Sequence, residues 1–300
     1  MSSPFFSIIL PTYNRANFIS KAIESCINQT FIDWELIIVD DGSTDDTQSK
    51  VSMFKDSRIY YHFQKNQERS VARNNGFNYS KGNYICYLDS DDWFDINHLE
   101  ILYNEIKKTN FQIALYHTYQ KYIRNGLSEN FLIPPFFPYS NLSKSDNLLL
   151  RYVWLFSPPV QTIAVHRLIL SEISFDTYPI PNECYDFIGQ IVSKYQIFEI
   201  SEWTVCMVSH QDNSTAWGKS FLLNSIRAFE FIINRQIYKN VKNHKLVKNT
   251  FRDLSLGLSG CYAEEKNKKE SWKYLKKALG YGFKFSQLRQ MIGIIRRLFF

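Results

Sequence analysis

The amino-acid sequence predicts an α/β protein with a mostly parallel central sheet flanked by helices. Short apolar runs alternate with helical patterns in the N-terminal third of the chain, an order that is typical of parallel sheets. Polar side chains follow three of these runs, and the carboxyl ends of parallel strands form the edge where ligands bind. The sequence therefore predicts one binding site made from three separate stretches of chain.

The elements of this first part follow in a regular order. Strands are expected near 6–11, 34–39, 58–63 and 83–88, with helices near 17–29, 44–55 and 69–80. Gly42 follows the second strand, and Ser43 and Thr44 are N-cap candidates for the next helix. The residues of interest at the ends of the first two strands are Pro11, Thr12, Tyr13, Arg15, Asp40 and Asp41.

The fourth strand ends in an acidic turn. The segment YICYLDSDDWF places Asp89, Asp91 and Asp92 directly after an apolar run. Crowded carboxylates repel one another unless a cation lies among them, and hard divalent cations prefer oxygen ligands. The turn therefore indicates a metal site. The alternative is a polar turn in which Asp92 or Asp95 caps the following helix.

Four motifs in this order resemble the nucleotide-binding half of family 2 glycosyltransferases with the GT-A fold. They are SIILPTYNR, VDDGSTDDT, ARNNG and YLDSDD, and they extend from residue 5 to about residue 100. The resemblance implies a Rossmann-like sheet and an inverting enzyme that moves a sugar from a nucleotide donor, with UDP favoured, to a hydroxyl of a glycan or glycolipid. It also implies a role in polysaccharide or cell-surface glycan synthesis and a divalent metal, Mn²⁺ or Mg²⁺.

The resemblance also assigns the nucleotide contacts. The carboxylate of Asp41 is expected to accept the N3–H of a uracil ring. Tyr13 and the backbone around Pro11 are expected to hold that ring, and Arg73 to lie near the nucleotide. The alternative for Arg73 is an exposed helix cation that pairs with Glu68 or with solvent. The expected nucleotide-binding residues are Pro11, Thr12, Tyr13, Arg15, Asp40, Asp41, Arg73, Asp89 and Ser90.

The metal ligands come from the same resemblance. Asp89-Ser90-Asp91 matches the DXD motif of the family, in which Asp91 binds the metal and Asp89 contacts the ribose or a metal-bound water. A bound cation neutralises the diphosphate as the bond to the sugar breaks. His210 follows the last predicted strand and is a candidate to approach the metal or the diphosphate. Its alternative is a structural histidine.

The chain departs from the family pattern at two positions. Gln67 stands where a glycine commonly follows Asn66, which changes the loop before the third helix. Family members also begin the acceptor-side helix with Glu-Asp, and that aspartate removes the proton of the acceptor. This chain has Glu183 and Cys184 there, with Asp186 two residues further on.

The catalytic base must therefore be chosen among neighbours. A thiol is a poor base because its pKa lies near 8.5 and adjacent carboxylates push it higher, so Cys184 is expected to pack rather than react. Glu183 is the first candidate, since a longer side chain in the first helical turn reaches the position of a neighbouring aspartate. Asp186 is the second. The alternative is that Glu183 only favours the helix N-terminus and the enzyme is slow or inactive.

Three regions are expected along the chain. Residues 1–105 form the nucleotide-sugar half, 106–215 the acceptor half and 216–300 a basic helical region. In the middle region, 111–123 and 160–167 are expected to be strands. The loop at 127–143 is rich in proline and aromatics, and its Phe136 and Phe137 either line a sugar pocket or fill a core gap. Helix breaks are expected around Gly257–Gly260 and Gly280–Gly282.

Composition places the protein in a reducing compartment. The five cysteines are odd in number, scattered and mostly in apolar runs, which favours reduced core thiols in a cytosolic protein. No signal peptide and no membrane-spanning segment are expected from the hydropathy pattern. The expected location is the cytoplasm, with the cytoplasmic membrane face as a peripheral site.

Positive charge is concentrated at the C-terminal end. Residues 216–300 hold 18 Lys and Arg against 5 Asp and Glu, whereas 1–215 hold 17 against 24. An anionic membrane surface is the preferred partner and a solvated helical face is the alternative, since no nucleic-acid motif accompanies the charge. Apolar residues at helical spacing occur in the last segment, beside Arg289, Arg296 and Arg297: Phe285, Leu288, Met291, Ile292, Ile295, Leu298 and Phe299. Such a helix suits a bilayer surface or packing on the protein.

Two other functions are compatible with a nucleotide crevice. A nucleotidyltransferase would need a glycine-rich, basic first loop for a triphosphate, and PTYNR has no glycine. A sugar-nucleotide-binding protein with an impaired active site is the second alternative. Release of free nucleotide diphosphate on addition of an acceptor separates it from an active transferase.

Overall fold

A computed structural model describes residues 3–124, 127–129, 148–155, 157–177, 183–208, 219–282 and 285–299. In these ranges nine strands form one sheet: β1 (Phe6–Thr12), β2 (Trp34–Asp40), β3 (Ile59–Phe63), β4 (Tyr84–Tyr87), β5 (Trp93–Phe94), β6 (Ala114–Arg124), β7 (Leu127–Glu129), β8 (Ile163–His166) and β9 (Gln196–Val208). The helices are α1 (Ile19–Ile27), α2 (Thr47–Ser52), α3 (Arg69–Tyr79), α4 (His98–Lys108), α5 (Arg167–Leu170), α6 (Cys184–Val192), α7 (Lys219–Ile232), α8 (Lys245–Glu264), α9 (Lys268–Gly280) and α10 (Leu288–Phe299).

The sheet has the strand order β3-β2-β1-β4-β8-β6-β9-β5, with β7 paired to β6. Strands β1 to β4 are parallel to one another, β6 and β9 run in the same direction, and β8 lies antiparallel between β4 and β6. This confirms the mostly parallel α/β sheet of the GT-A fold. The parallel pairing sets Thr12 beside Asp40, so the ends of β1 and β2 reach the same edge.

Helices cover both faces of the sheet. All seven residues of β1 are buried, which explains its continuous apolar run, because a strand in a sheet covered on both sides has no solvent face. Ile8 and Leu10 face a core that includes α1 and α4, and Ile9 faces a core that includes α6 and α8. Helix α3 lies on the side of Ile9, where a Cβ on Gly76 would come within 2.4 Å of the Ile9 side chain. Thus α3 and α6 share one face of the sheet.

The middle of the chain continues this sheet through β6, β8 and β9. The predicted strand at 160–167 begins later than expected, because Val160–Thr162 form a 3₁₀ turn and β8 starts at Ile163. Pro159, which fixes its own φ and donates no backbone hydrogen bond, immediately precedes this turn, and the amide of Thr162 bonds to its carbonyl. The turn places Gln161 at the edge that carries the acidic cluster.

The C-terminal region is helical, as predicted, but one expected break is wrong. Helix α8 runs without interruption through Gly257 and Gly260. Glycine inside a helix costs only about 1 kcal/mol relative to alanine. Packing accounts for Gly257, because a Cβ there would lie 3.1 Å from Leu222 of α7, whereas a Cβ on Gly260 would make an ordinary contact with Ile294 of α10 at 3.9 Å. The break after α9 is confirmed at Gly282, where φ is +107°.

The C-terminal helices α7 and α8 pack against α6. The ring of Phe229 in α7 stacks on Tyr185 of α6 at 5.1 Å, and Phe229 and Phe251 belong to the same buried core as Phe187 of α6. In the part of the chain that the structure describes, no helix is both long and apolar enough to cross a bilayer.

Candidate active site

The loops that follow β1, β2 and β4 meet at one edge of the sheet, as predicted. The backbone N–H of Asn14 donates to the Ser43 hydroxyl at 2.8 Å, and the N–H of Asp41 donates to the carbonyl of Thr12 at 2.8 Å. The third loop joins them through Arg15, whose Nε lies 3.6 Å from a carboxylate oxygen of Asp91. Three separate stretches of chain thus form one polar surface.

The two acids after β2 differ in their surroundings. Asp40 is fully buried, and its oxygens accept the N–H of Ser43 at 2.7 Å and the hydroxyl of Tyr61 at 2.7 Å. Asp40 therefore fixes the turn after β2. Burial, together with the charge of Asp40, raises the pKa of the Tyr61 phenol above its usual value.

Asp41 keeps one oxygen open. Its Oδ1 accepts the side-chain amide of Gln64 at 2.7 Å and the backbone N–H of Gln67 at 2.9 Å. Its Oδ2 makes no hydrogen bond within the described ranges. Gln67, the departure from the family glycine, is thus tolerated because its backbone makes the contact. The next residue, Glu68, adopts φ +74° and ψ 156°, a conformation that costs a non-glycine residue about 1–3 kcal/mol.

The end of β1 combines buried and exposed groups. Pro11 pairs with Val39 in the sheet, and Thr12 is buried with a hydroxyl that has no hydrogen-bond partner among the described residues. The side chain of Tyr13 is 47% exposed. An accessible ring beside Asp41 provides a stacking surface, as the sequence predicts for a nucleotide base.

Gln161 holds the acidic turn together. Its side-chain amide donates to Asp89 Oδ2 at 2.5 Å and to Asp92 Oδ2 at 3.0 Å. The other oxygen of Asp92 accepts the backbone N–H of Val208 at 3.1 Å, and the carboxylate of Asp95 pairs with Lys121. Neither Asp92 nor Asp95 caps α4, so the helix-cap interpretation is wrong. Sequence reasoning missed Gln161 because it lies in an apolar segment without a recognisable motif.

The acids of this turn repel one another. Burial raises the pKa of Asp92 well above its usual value, and the charges of Asp91 and Asp89 raise it further. Ser90 is buried, whereas the Asp91 carboxylate is 17% exposed and lies 3.6 Å from Nε of Arg15. Asp89 is also partly exposed, but Arg73 and Gln161 each bind one of its oxygens.

The carboxylates fit a metal that is completed by its substrate. Within the described ranges, no three His, Cys, Asp or Glu side chains form a ready-made metal cage. Mg²⁺-type sites commonly use one or two carboxylates together with substrate phosphates and water. Asp89 and Asp91 supply such a pair of hard oxygen ligands in a turn whose negative charge a cation would relieve. The predicted ligand His210 and the aromatics Phe136 and Phe137 lie outside the described residues.

Arg73 joins the acidic turn to the acceptor side. Its guanidinium is 1% exposed and donates to Asp89 Oδ1 at 2.8 Å and to Glu183 Oε1 at 2.6 Å. The alternative of an exposed cation paired with Glu68 is therefore wrong. Burial acts to lower the pKa of Arg73, but the charges of Asp89 and Glu183 overcome it and raise the pKa above its usual value. Arg73 thus connects two parts of the site that are distant in sequence.

The two candidate bases occupy different environments. Glu183 is buried next to Arg73, and Arg69 also contacts its Oε1 at 3.2 Å. Its Oε2 makes no hydrogen bond with any described residue. Asp186 is bound by Gln190 at 2.8 Å and by Arg235, a residue of the C-terminal region. The structure brings Glu183, but not Asp186, to the Arg73 and Asp89 pair.

Cys184 packs against the core. Burial raises the pKa of its thiol to about 12, and the charge of Glu183 raises it further. Its side chain contacts the apolar cluster that includes Phe187. The thiol is thus protonated at neutral pH, in agreement with the prediction that Cys184 packs rather than reacts.

The fold and this site define a glycosyltransferase. The chain matches the family model described as Glycosyl transferase family 2 over residues 7–156, which is half of its length. It belongs to this family. Family membership also decides against the nucleotidyltransferase alternative.

Two named relatives are sugar transferases with different acceptors. The chain is 32% identical over 176 residues to the UDP-Glc:alpha-D-GlcNAc-diphosphoundecaprenol beta-1,3-glucosyltransferase WfgD of Escherichia coli, covering 58% of this chain and 65% of that one. It is 28% identical over 280 residues to the poly(ribitol-phosphate) beta-N-acetylglucosaminyltransferase TarP of Staphylococcus aureus, covering 88% and 84%. A Rickettsia bellii glycosyltransferase is 41% identical over 121 residues, but the alignment covers 40% of this chain and 17% of the relative. The chain thus spans less than a fifth of that relative's length.

Solved structures share the fold over nearly the whole chain. Staphylococcus aureus TarS in complex with UDP-GlcNAc superposes with a TM-score of 0.63 at 17% identity, covering 96% of this chain and 92% of that one. The mannosyltransferase PcManGT from Pyrobaculum calidifontis, in complex with GDP-Man and Mn²⁺, also gives a TM-score of 0.63, at 16% identity and 100% and 82% coverage. At these identities the likeness establishes the fold.

Proposed function

We propose that this protein is an inverting glycosyltransferase that moves a sugar from a UDP-sugar donor to a hydroxyl of a glycan or lipid-linked glycan. The observation that carries the proposal is the buried connection from Asp89 through Arg73 to Glu183. It sets a carboxylate whose Oε2 accepts no hydrogen bond from the described residues next to the acidic turn, which would face the diphosphate. A transferase needs this arrangement, because the donor sugar and the acceptor hydroxyl must meet between the two groups.

The preference for uracil rests on Asp41 and Tyr13. The open Oδ2 of Asp41 is a suitable acceptor for an imide N3–H, and the exposed ring of Tyr13 lies at the same edge. Two similar proteins support a UDP-linked donor, since WfgD is named for UDP-Glc and TarS has been solved with UDP-GlcNAc. PcManGT, which holds GDP-Man, makes GDP the donor class to compare against UDP.

A divalent cation, Mn²⁺ or Mg²⁺, belongs to the proposal. Asp91 would be the direct ligand, because its carboxylate is partly exposed and lies where the three loops meet, whereas both oxygens of Asp89 are already bound by Arg73 and Gln161. Asp89, held by Arg73 and Gln161, contacts the ribose or a metal-bound water. The cation supplies charge neutralisation of the leaving diphosphate. The Mn²⁺ in the PcManGT complex supports this assignment.

Glu183 is the proposed base for a single displacement. The oxygen of the acceptor hydroxyl attacks the anomeric carbon from the face opposite the diphosphate, the bond from that carbon to the diphosphate oxygen breaks, and Oε2 of Glu183 takes the hydroxyl proton. Arg73 and Arg69 both contact Oε1 and so orient the carboxylate. One displacement inverts the configuration of the anomeric carbon.

An anionic membrane surface is the proposed peripheral partner. Helix α10 buries Ile294 and Leu298 against the neighbouring helices, so one of its faces is core. A second apolar face stays exposed on this helix and the turn before it: Phe285, Leu288, Ile292 and Ile295. Arg289 and Arg296 are also exposed on this helix, in a region with 18 basic and 5 acidic residues, which suits negatively charged lipid. The side chain of Phe299 lies outside those described.

An impaired sugar-nucleotide-binding protein is the second candidate. Cys184 at the position of the family aspartate is the observation that favours it. The two candidates differ in turnover. A bound donor without release of UDP in the presence of acceptors supports the impaired protein.

The test begins with the donor. UDP-, GDP- and dTDP-sugars are screened with Mn²⁺ by thermal shift, because a ligand that binds only the folded state raises the melting temperature. The stabilising donor is then incubated with lipid-linked and free glycan acceptors, UDP release is measured, and the anomeric configuration of the product is determined by NMR. Stabilisation by UDP-sugars and an inverted product are expected. Retention of configuration, or a preference for GDP-sugars, contradicts the proposal.

A further inference from the structure

Glu183 directly precedes α6, and the first turn of this helix packs on a residue that is bound to α3. Phe187 of this turn stacks on Phe175 at 3.9 Å with an interplanar angle of 13°. Phe175 is bound to α3 by Asn74, which exchanges two hydrogen bonds with its backbone at 2.9 and 3.1 Å. The start of α6 therefore lies next to α3, the helix that carries Arg73.

One side chain from the C-terminal region, that of Arg235, forms ion pairs at the same place. Arg235 follows α7, and its Nη2 lies 2.7 Å from Asp176, the residue after Phe175. Its Nη1 pairs with Asp186, the residue before Phe187. A guanidinium presents its donors in a planar fork, so it can hold two carboxylates at once. Arg235 therefore links the first turn of α6 to the residue after Phe175.

The backbone around Arg235 is itself fixed on α6. The N–H of Arg235 donates to the carbonyl of Ile232 at 2.9 Å, and the turn that follows buries Tyr238 completely. Gly189 of α6 makes room for that ring, since a Cβ on Gly189 would lie 1.8 Å from the Tyr238 hydroxyl. The backbone of Arg235 is therefore held in place by the packing of Tyr238 on α6.

We infer that Arg235 is a positioning residue for glycosyl transfer, which fixes the first turn of α6, and with it Glu183 beside Arg73, by bridging Asp176 and Asp186. The inference rests on the proposed role of Glu183 as the base. It gives the C-terminal helices a part in turnover, although Arg235 contacts neither Arg73 nor Glu183. Asp186 accordingly helps to position Glu183, the proposed base, through its ion pair with Arg235.

The experiment compares three variants under one set of conditions. Arg235→Gln removes the bridge. Arg235→Lys keeps a charge that can hold one carboxylate but not both, and it serves where the glutamine variant leaves buried Asp186 too unstable. Lys277→Gln is the matched control. It removes an ion pair to Glu230 in the same helical region, and this pair involves neither Asp176 nor Asp186.

Three quantities are measured for each protein. They are the affinity for UDP with Mn²⁺ by calorimetry, kcat and donor KM for transfer, and amide hydrogen exchange in α6 and α8. For Arg235→Gln we expect kcat to fall by about tenfold or more with donor KM and UDP affinity nearly unchanged, since a small displacement of a catalytic group can cost up to about a hundredfold. Exchange should rise at the start of α6 and not in α8. Arg235→Lys should be intermediate, and Lys277→Gln should match the wild type.

The inference is overturned if kcat of Arg235→Gln stays within about twofold of the wild type, well short of the loss expected for a displaced base. It is also overturned if exchange in α8 rises as much as in α6, or if Lys277→Gln loses as much activity, because either result makes Arg235 a general stabilising residue. If the wild type releases no UDP from any donor, the proposed function fails, and the exchange pattern alone then decides whether the bridge orders the start of α6.

Discussion

Individual side chains divide the site into groups that hold the structure and groups that are open to a ligand. Asp40 and Asp92 have both oxygens bound by the protein, whereas Asp91 and Asp41 each keep an accessible or open oxygen. Sequence spacing predicted that these acids would converge. Spacing could not show which acids the protein binds and which stay open to a ligand, because the difference depends on Tyr61, Gln161 and other partners distant in sequence.

Removing the accessible acid should uncouple nucleotide binding from the metal. For Asp91→Asn we expect turnover to fall by about a hundredfold or more, since the loss of one ligand costs several kcal/mol of transition-state stabilisation. Calorimetric UDP binding of the wild type should weaken with EDTA, and that of the variant should respond much less. The control is Asp46→Asn, which removes an exposed acid directly before α2. UDP binding by the wild type that is indifferent to EDTA contradicts the metal assignment.

The burial of Asp186 should appear in the pH dependence of stability. Burial raises its pKa from 3.8 to about 6, against the opposing effects of Arg235 and Gln190, while Asp176 adds to the rise. Because the folded state holds the proton more tightly than the unfolded state, this group contributes most stability below pH 4, and the contribution is lost as pH rises through about 6. At about 1.4 kcal/mol per unit, the effect is on the order of 3 kcal/mol.

Urea unfolding of the wild type and of Asp186→Asn tests this linkage. The free energy of unfolding of the wild type should decrease relative to that of the variant between about pH 4.5 and 6.5. An equal difference between the two proteins at both pH values shows that Asp186 does not titrate in this range.

Helices and strands were predicted well where the sequence has a long apolar run. They were predicted less well where packing against other helices, and not the intrinsic propensity of the residues, decides the structure. The strands near 6–11 and 34–39 correspond closely to β1 and β2. By contrast, Gly257 and Gly260 suggested a break that α8 does not have, and Gly257 instead allows the close approach of Leu222 of α7. A single sequence shows the glycine but not the neighbouring helix, so the two cases could not be told apart.

Helix α10 combines the two alternatives that the sequence left open. One face packs through Ile294 and Leu298, and the other exposes Ile292 and Ile295. We expect the double change Ile292→Ser and Ile295→Ser to weaken binding to anionic liposomes by about tenfold or more, because each isoleucine loses apolar area worth about 1 kcal/mol or more when buried in lipid. UDP binding should not change.

Liposome co-sedimentation at low salt measures this effect. Ile32→Ser, a change at another highly exposed isoleucine, is the control and should bind as the wild type does. If the full-length protein ignores anionic liposomes, or if the double variant sediments with them equally well, the exposed face of α10 is not a membrane surface.

At the scale of the whole molecule, the sheet brings its two halves together at Arg73. Helices α3 and α6 lie on the same face, so a residue of the ARNNG motif reaches both Asp89 and Glu183. The family resemblance placed each of these residues near the nucleotide or the acceptor. It did not predict that one guanidinium joins them, because that contact depends on how α6 packs against α3. The region boundaries at 105 and 215 stay predictions.

The most direct measurement of the central claim is the transfer rate of Glu183→Gln beside that of Asp186→Asn, at saturating donor and acceptor. If Glu183 is the base, its variant should lose about a hundredfold or more in kcat while UDP affinity stays within a few-fold. Asp186→Asn should lose less, since Asp186 only supports the first turn of α6. Near-native transfer by Glu183→Gln, with a loss of about a hundredfold in Asp186→Asn or Cys184→Ser, would contradict the assignment and identify the base as the residue whose loss abolishes transfer.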